Sequence, residues 1–383
     1  MIYADYNGSA PISTTVTKYL QERLAEGVYS NPNATHQLGK KMLFKMEDAR
    51  RSLANVLGCR PSNITFNSGS SEGISHIFHS ILHKDQDKKV IITSQIEHMA
   101  IVQACDYYSS RRGFTVETIK TLNNGQVDLE HFKELVNKHQ NNIALATVIA
   151  ANNETGIIQP YKEIGKICRD NGIIFFSDTT QYIGKTPFNF SESNMDFAVS
   201  SSHKIGAIIG SGIIISRDPS LLRSFIFGGG QEGGHRGGTQ NYLGIETMGV
   251  AIEDFHKNEK WLEELRKLRE RFEANMKKKF NQVFIVGEDA PRLASTTMIA
   301  IPGLSGQAVQ AVLETKDVFV TTSSACSDKK AGNRILEAMG LPCEISGSVV
   351  RISLCMNSNQ ALYDRIEDAL TEAYNKLIKV YKL

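Results

Sequence analysis

The sequence has no excess of charge of either sign: 43 Lys and Arg stand against 41 Asp and Glu over 383 residues, a formal net charge of +2. So close a balance argues against a chain built mainly to hold nucleic acid or a membrane surface. No apolar run approaches the ~18–20 residues that span a bilayer. The opening MIYADYNGSA carries an acid at Asp5 and lacks the basic-then-apolar order of a signal peptide. There is no internal repeat and no low-complexity segment. The six cysteines, Cys59, Cys105, Cys168, Cys326, Cys343 and Cys355, lie far apart, with no CxxC and no Cys/His metal spacing. That usage fits a reducing, cytoplasmic setting in which most thiols pack as small hydrophobes.

What is present is 41% hydrophobic residues, enough for a sizeable core. MLFKMEDARRSLANVLG reads as an amphipathic helix ended by Gly58, and EHMAIVQACDYYSSRR as one ended by Gly113. Between the helices run short apolar segments: NITFNS, KKVIITS, FTVETIK, NIALATVIA and IIFFSDT. The alternation predicts an α/β fold with a mostly parallel central sheet covered on both faces. From about residue 245 to 280 the pattern predicts a long, charged helical stretch, carrying Trp261, that connects two domains and solvates its charges. The rest mixes strands and helices as a smaller α+β domain. The expected division is a large domain over 15–255 and a small one over 1–14 and 256–383.

Ligands of such sheets sit beyond the carboxyl ends of the strands. Five junctions carry polar clusters that packing does not require. NSGSSEG, 67–73, ends a strand and opens a helix. Amides there hold phosphate with Ser70 and Ser71 as hydroxyl donors, unless the serines merely cap the helix. FFSDTTQ sets Asp178 and Gln181 after an apolar strand, where a carboxylate holds a cationic ligand nitrogen or caps the next segment. SSSHKIG sets Lys204, with His203 beside it, directly after another strand. A desolvated amine there suits Schiff-base chemistry, against the commoner solvated lysine. In GGGQEGGHRGGTQN, seven of the eleven residues 228–238 are glycine, yet Gln231, Arg236 and Thr239 suggest a shaped polar surface. TTSSACSDKKAGN sets Cys326 among small polar residues near Lys329 and Lys330, the setting of a reactive thiol. The other five cysteines are expected to be packing residues.

Together and in this order, these clusters resemble the cysteine desulfurases, pyridoxal 5'-phosphate (PLP) enzymes among the class-V aminotransferases. The resemblance runs essentially the whole chain, through NPNATHQLGKKM, NSGSSEG, EHMAI, NNETGIIQP, SDTTQYIGK, SSHKIG, GGGQEGGHRGGTQN and SSAC. It implies the PLP-dependent transferase fold type I, the aspartate-aminotransferase-like fold. It also implies roles. Lys204 would carry PLP, Asp178 would pair with the pyridine nitrogen, and His98 would stack on the ring and help move protons. Gln181 would hydrogen-bond the phenolic oxygen. Ser70, Ser71, Ser201 and His203 would hold the phosphate, and Thr239 would reach the phosphate of the neighbouring subunit in a homodimer. Asn153 and Arg351 would bind the substrate, L-cysteine. Cys326 would accept its sulfur as a persulfide, leaving L-alanine, and pass it to an acceptor protein such as an iron–sulfur scaffold or a thiolation enzyme. No direct nucleic-acid or membrane partner is implied.

SSAC resembles the class with a serine-rich active-site loop; the RxGHHC pattern of the other class is absent. Three departures stand out. Ser71 replaces a threonine, DYNGSAP stands where DYNATTP is usual, and SDKKAGN after Cys326 lacks the usual Glu-Pro-Ser. A selenocysteine lyase, another PLP-dependent lyase or an aminotransferase of the same fold is the alternative, with Cys326 as the discriminator.

Overall fold

Seven strands form the main sheet, in the order Ile64–Asn67, Gly212–Ser216, Phe197–Ser201, Phe175–Asp178, Ile143–Thr147, Val90–Ser94, Thr115–Ile119. The structure is a computed structural model that describes residues 1–27, 29–83, 87–322 and 333–382. All neighbours are parallel except Gly212–Ser216, which runs antiparallel to both of its partners. The inner strands are buried at every residue, as continuous apolar runs covered on both faces should be. The period of two divides their side chains between two layers. Phe175 packs with Met46, Leu53, Phe132, Ile164 and Met248 on one face. Phe176 packs with Ile77, Phe78, Ile101 and Cys105 on the other.

The register gathers the carboxyl ends. Asn67 and Ser201 both lie opposite Gly212, and Asp178 lies opposite Val199. The turns that follow these strands therefore meet at one edge. Gly212 permits this closeness: a Cβ there would lie 2.6 Å from both Gly69 Cα and Ser200 O. Gly69, with φ of 150°, then turns the chain into the helix Ser70–Ile81. Helices Gln37–Leu57 and Met99–Arg112 end as expected at Gly58 and Gly113, both left-handed.

The smaller sheet places Thr296–Ala300 between Val350–Ser353 and Phe284–Ile285, all antiparallel. Trp261–Lys279 and Gln360–Tyr381 cover it through Phe272, Met276, Tyr363 and Tyr374. The N-terminal strand Ile2–Tyr3 pairs with Val318–Phe319, and Asp5 bridges to Ser353. The first residues of the chain thus lie beside Arg351.

The helical connector is two helices, Tyr242–Asn258 and Trp261–Lys279. The first packs so closely on Gln37–Leu57 that a Cβ on Gly249 would lie 2.9 Å from Ala49 Cα. Nor are all of the charges solvated. Glu246 is buried and accepts from Arg23 Nε at 2.8 Å and Tyr19 Oη at 2.7 Å. Glu273 is buried and takes both terminal nitrogens of Arg292, at 2.7 and 2.9 Å. Charge spacing along a helix does not distinguish a solvated face from one whose charges find buried partners elsewhere in the chain. Among the described residues no helix is long and apolar enough to cross a membrane.

Candidate active site

Four polar residues close on one another at the sheet edge. Ser201 Oγ accepts from Ser70 N at 2.7 Å and donates to Ser70 Oγ at 2.9 Å. Thr180 Oγ1 lies 2.6 Å from Ser70 Oγ and 2.5 Å from Asp178 Oδ1, and Thr180 N donates to the same carboxylate oxygen at 3.0 Å. All four residues are buried. Ser70 is therefore not an N-cap; Gly69 holds that position without a side-chain bond. The first turn of a helix leaves its amides without intrahelical partners, so those of Ser71 and Glu72 remain for an anion. The carboxylate of Glu72 is held by Arg236 Nε at 2.8 Å and by Ser68 N at 2.9 Å. Hydroxyls and helix amides fit a phosphate, and Asp178 has a second oxygen to offer a cationic nitrogen.

Lys204 follows Ser201 by one short turn. Its Nζ donates to Asn7 O at 2.9 Å and to Gly8 O at 2.5 Å. Burial, then the Arg351 cation, push its amine down to about 8, against the pull of Asp5 and Asp178. His203 is held by Ser9, with Nδ1 3.1 Å from Ser9 Oγ. Its pKa is lowered by burial and by Lys204 and Lys185. The departures Gly8 and Ser9 thus lie directly on the Lys204 and His203 pair.

Gln181 is buried, with Nε2 donating to Asn7 O at 2.8 Å and Oε1 accepting from Lys185. Arg351 is buried and sends one nitrogen to Asn153 O at 2.7 Å and another to Asp5 Oδ1 at 2.5 Å. His98 caps the helix Met99–Arg112, its Nδ1 accepting from Ala100 N at 3.1 Å. That contact leaves the ring proton of the neutral tautomer on Nε2.

Other expected residues do not join these contacts. Ser71 and Thr239 are exposed and make no hydrogen bond to the serine and threonine cluster. Cys326 lies outside the described residues. Of the other cysteines, Cys105 and Cys168 are buried, and burial pushes the Cys105 thiol up to about 12. Cys343 is exposed rather than packed, because it opens a four-residue helix at the surface. The glycine-rich segment is indeed shaped: Glu232 takes Arg50 at 3.0 and 3.1 Å and Phe66 N at 2.9 Å.

The structure also adds residues. Thr180 completes the hydroxyl cluster, Asn7 joins Gln181 to Lys204, and Lys185 grips Gln181. Glu97 is buried next to His98, and burial pushes its carboxyl up to about 8. Thr180 and Lys185 stand in SDTTQYIGK and Glu97 in EHMAI, so the signal was adjacency to chosen residues. Among the described residues no group of three or more His, Cys, Asp or Glu could hold a metal ion.

The family model for class-V aminotransferases matches residues 2–365. A cysteine desulfurase of Nostoc sp. is 33% identical over 379 residues, covering 98% of this chain and 94% of its own. A solved NifS-like protein has a TM-score of 0.90 at 30% identity, over 98% of this chain and 100% of its own. A solved SspA in complex with cysteine has a TM-score of 0.78 at 27% identity, over 92% and 99%.

Proposed function

The chain belongs to the class-V aminotransferases and, within them, to the cysteine desulfurases, and on that premise we propose how its own residues use PLP and L-cysteine. The observation that carries the reading is the meeting, at one sheet edge, of a phosphate-fitting hydroxyl cluster, a buried carboxylate and a lysine with a depressed pKa. The solved relative in complex with cysteine, SspA, supports the substrate.

Ser70, Ser201 and the amides of Ser71 and Glu72 would hold the cofactor's phosphate, with Thr180 and Ser201 both fixing Ser70. Asp178 would hold the pyridine nitrogen in its protonated form. PLP, when bound, supplies an electron-withdrawing ring that stabilises negative charge at the substrate α-carbon.

Lys204 would carry the cofactor and would serve as the base for the α-proton. An amine at about 8 has a far larger neutral fraction near physiological pH than an ordinary lysine, and a base acts from that neutral form. Arg351 takes the substrate carboxylate two-pronged once Asp5 gives way, and Asn153 borders the same place. His98 would offer an Nε2 proton. The thiolate of Cys326 attacks the substrate sulfur. A sulfur–sulfur bond forms, the carbon–sulfur bond breaks, and its electron pair stays with the carbon skeleton, which takes up protons and leaves as L-alanine. Cysteine and the Cys326 thiol thus become alanine and a Cys326 persulfide, with atoms and electrons balanced.

The working form is a homodimer in the cytoplasm, in which Thr239 of one subunit serves the site of the other. The persulfide passes to an acceptor protein of iron–sulfur assembly or of thiolation. Borohydride reduction of the PLP-loaded protein, followed by peptide mapping, tests the cofactor reading: label on Lys204 supports it, and label elsewhere or none contradicts it.

A further inference from the structure

Lys185 is a lysine that the proposed reaction leaves without a task. It lies four residues after Gln181, in the wall of a cavity of about 260 Å³ that Lys204, Tyr6 and Cys355 also line. Its Nζ donates to Asn7 Oδ1 at 2.7 Å and to Gln181 Oε1. Both acceptors are amide oxygens, which compensate a desolvated ammonium poorly beside a carboxylate. Burial, with Lys204 and Arg351 nearby, holds its pKa well below the usual lysine range, against the pull of Asp5. A neutral amine has two N–H groups, which matches the two acceptors.

The donor arithmetic of Gln181 follows from this grip. Its Oε1 is committed to Lys185, so the two ends of the amide are distinguished. One Nε2 hydrogen goes to Asn7 O at 2.8 Å, the oxygen that also accepts from Lys204 at 2.9 Å. The second Nε2 hydrogen is left for a ligand. Asn7 is fixed in turn, its Nδ2 reaching Asn153 O at 3.2 Å and Thr296 Oγ1 at 3.1 Å.

We propose that Lys185 is a positioning residue, which by holding Gln181 Oε1 presents the free amide hydrogen of Gln181 to the phenolic oxygen of the bound cofactor. The inference rests on the reading of Lys204 as the residue that carries the cofactor. The titratable and charged groups around the pair are Lys204, His203, Asp178, Asp5 and Arg351. A donor on the phenolic oxygen favours its ionised form, so loss of that donor raises the pH at which the cofactor's visible absorbance changes.

The test titrates the visible spectrum of PLP-loaded wild type, Lys185→Met, Lys185→Arg, Gln181→Ala and the Lys185→Met/Gln181→Ala double variant. The midpoint is expected to rise by about one pH unit in each single truncation. The double variant should shift no further than either single, because both remove the same hydrogen bond. Lys185→Arg keeps a donor and should stay nearer wild type. A wild-type midpoint in Lys185→Met, or shifts that add in the double variant, would overturn the proposal. Lys185→Leu carries the same expectation if Lys185→Met does not fold. Borohydride mapping of the same samples separates the two levels: attachment away from Lys204 overturns the underlying reading, and with it the proposal, whatever the titration shows.

Discussion

Asp5 and Arg351 meet across 346 positions of sequence, with one guanidinium nitrogen 2.5 Å from Asp5 Oδ1. Arg351 Nε is buried and has no hydrogen-bond partner among the described residues. Gly8 makes room for the contact, since a Cβ there would lie 2.5 Å from Asp5 Oδ2. An incoming α-carboxylate has to replace Asp5 on the guanidinium. Asp5→Asn should therefore lower KM for L-cysteine several-fold with kcat little changed. Arg351→Ala should raise KM about tenfold or more, the equivalent of ~1.4 kcal/mol. Steady-state kinetics checks both; an unmoved KM in the pair of variants removes Arg351 from substrate binding.

The depressed amine of Lys204 sets a pH window. Cofactor capture by the apoprotein needs the neutral amine, so its rate should climb through about pH 8 and then level. An unshifted lysine would still be climbing near pH 10. The stability sign follows. Between about 8 and the unfolded value near ~10.4 the unfolded chain holds more protons, so the contribution of Lys204 to stability rises with pH. Lys204→Met should remove that slope from a melting series at pH 7 to 10, and should abolish capture.

Thr180 ties Ser70, and through it Ser201, to Asp178. A hydrogen bond to a charged group contributes ~1.5–3 kcal/mol. Thr180→Ala should weaken PLP binding by about tenfold or more, while Thr180→Ser, which keeps the hydroxyl, should stay within a few-fold. Equilibrium titration of the apoproteins with PLP measures this, and equal affinities would mean that the serines need no such tie.

Glu97 supplies the opposite pH sign. Its Oε1 accepts from Ser94 Oγ at 2.5 Å and from Ile149 N at 2.9 Å, while Oε2 is buried with no partner among the described residues. Its folded pKa, raised to about 8 chiefly by burial, means that the folded chain holds the extra proton between the ordinary carboxylate range and about 8. Its contribution is full at low pH and lost as pH rises through about 8. Glu97→Gln keeps the acceptor and carries no charge, so it should melt above wild type at pH 9 and close to it at pH 5.

Much of this site was legible because its residues sit where local patterns end. Asp178, Lys204 and Ser70 each follow a short apolar run, and a parallel sheet brings such ends to one edge. Asn7 was not legible. Its carbonyl meets Lys204 and Gln181 only because Ile2–Tyr3 is drawn to Val318–Phe319 by pairing over more than three hundred positions. The break between the helices at 259–260 was hidden because charge periodicity runs unbroken through it. The burial of Glu246 was hidden because its partner, Arg23, is 223 positions away.

The central claim is that sulfur leaves L-cysteine on Cys326. Product analysis with L-cysteine, PLP and a thiol reductant, on wild type and Cys326→Ser together, tests it most directly. Wild type should give equal alanine and sulfide, and cofactor-loaded Cys326→Ser should release neither. Pyruvate and sulfide from both proteins would contradict it, and would make the reaction a β-elimination that needs no thiol.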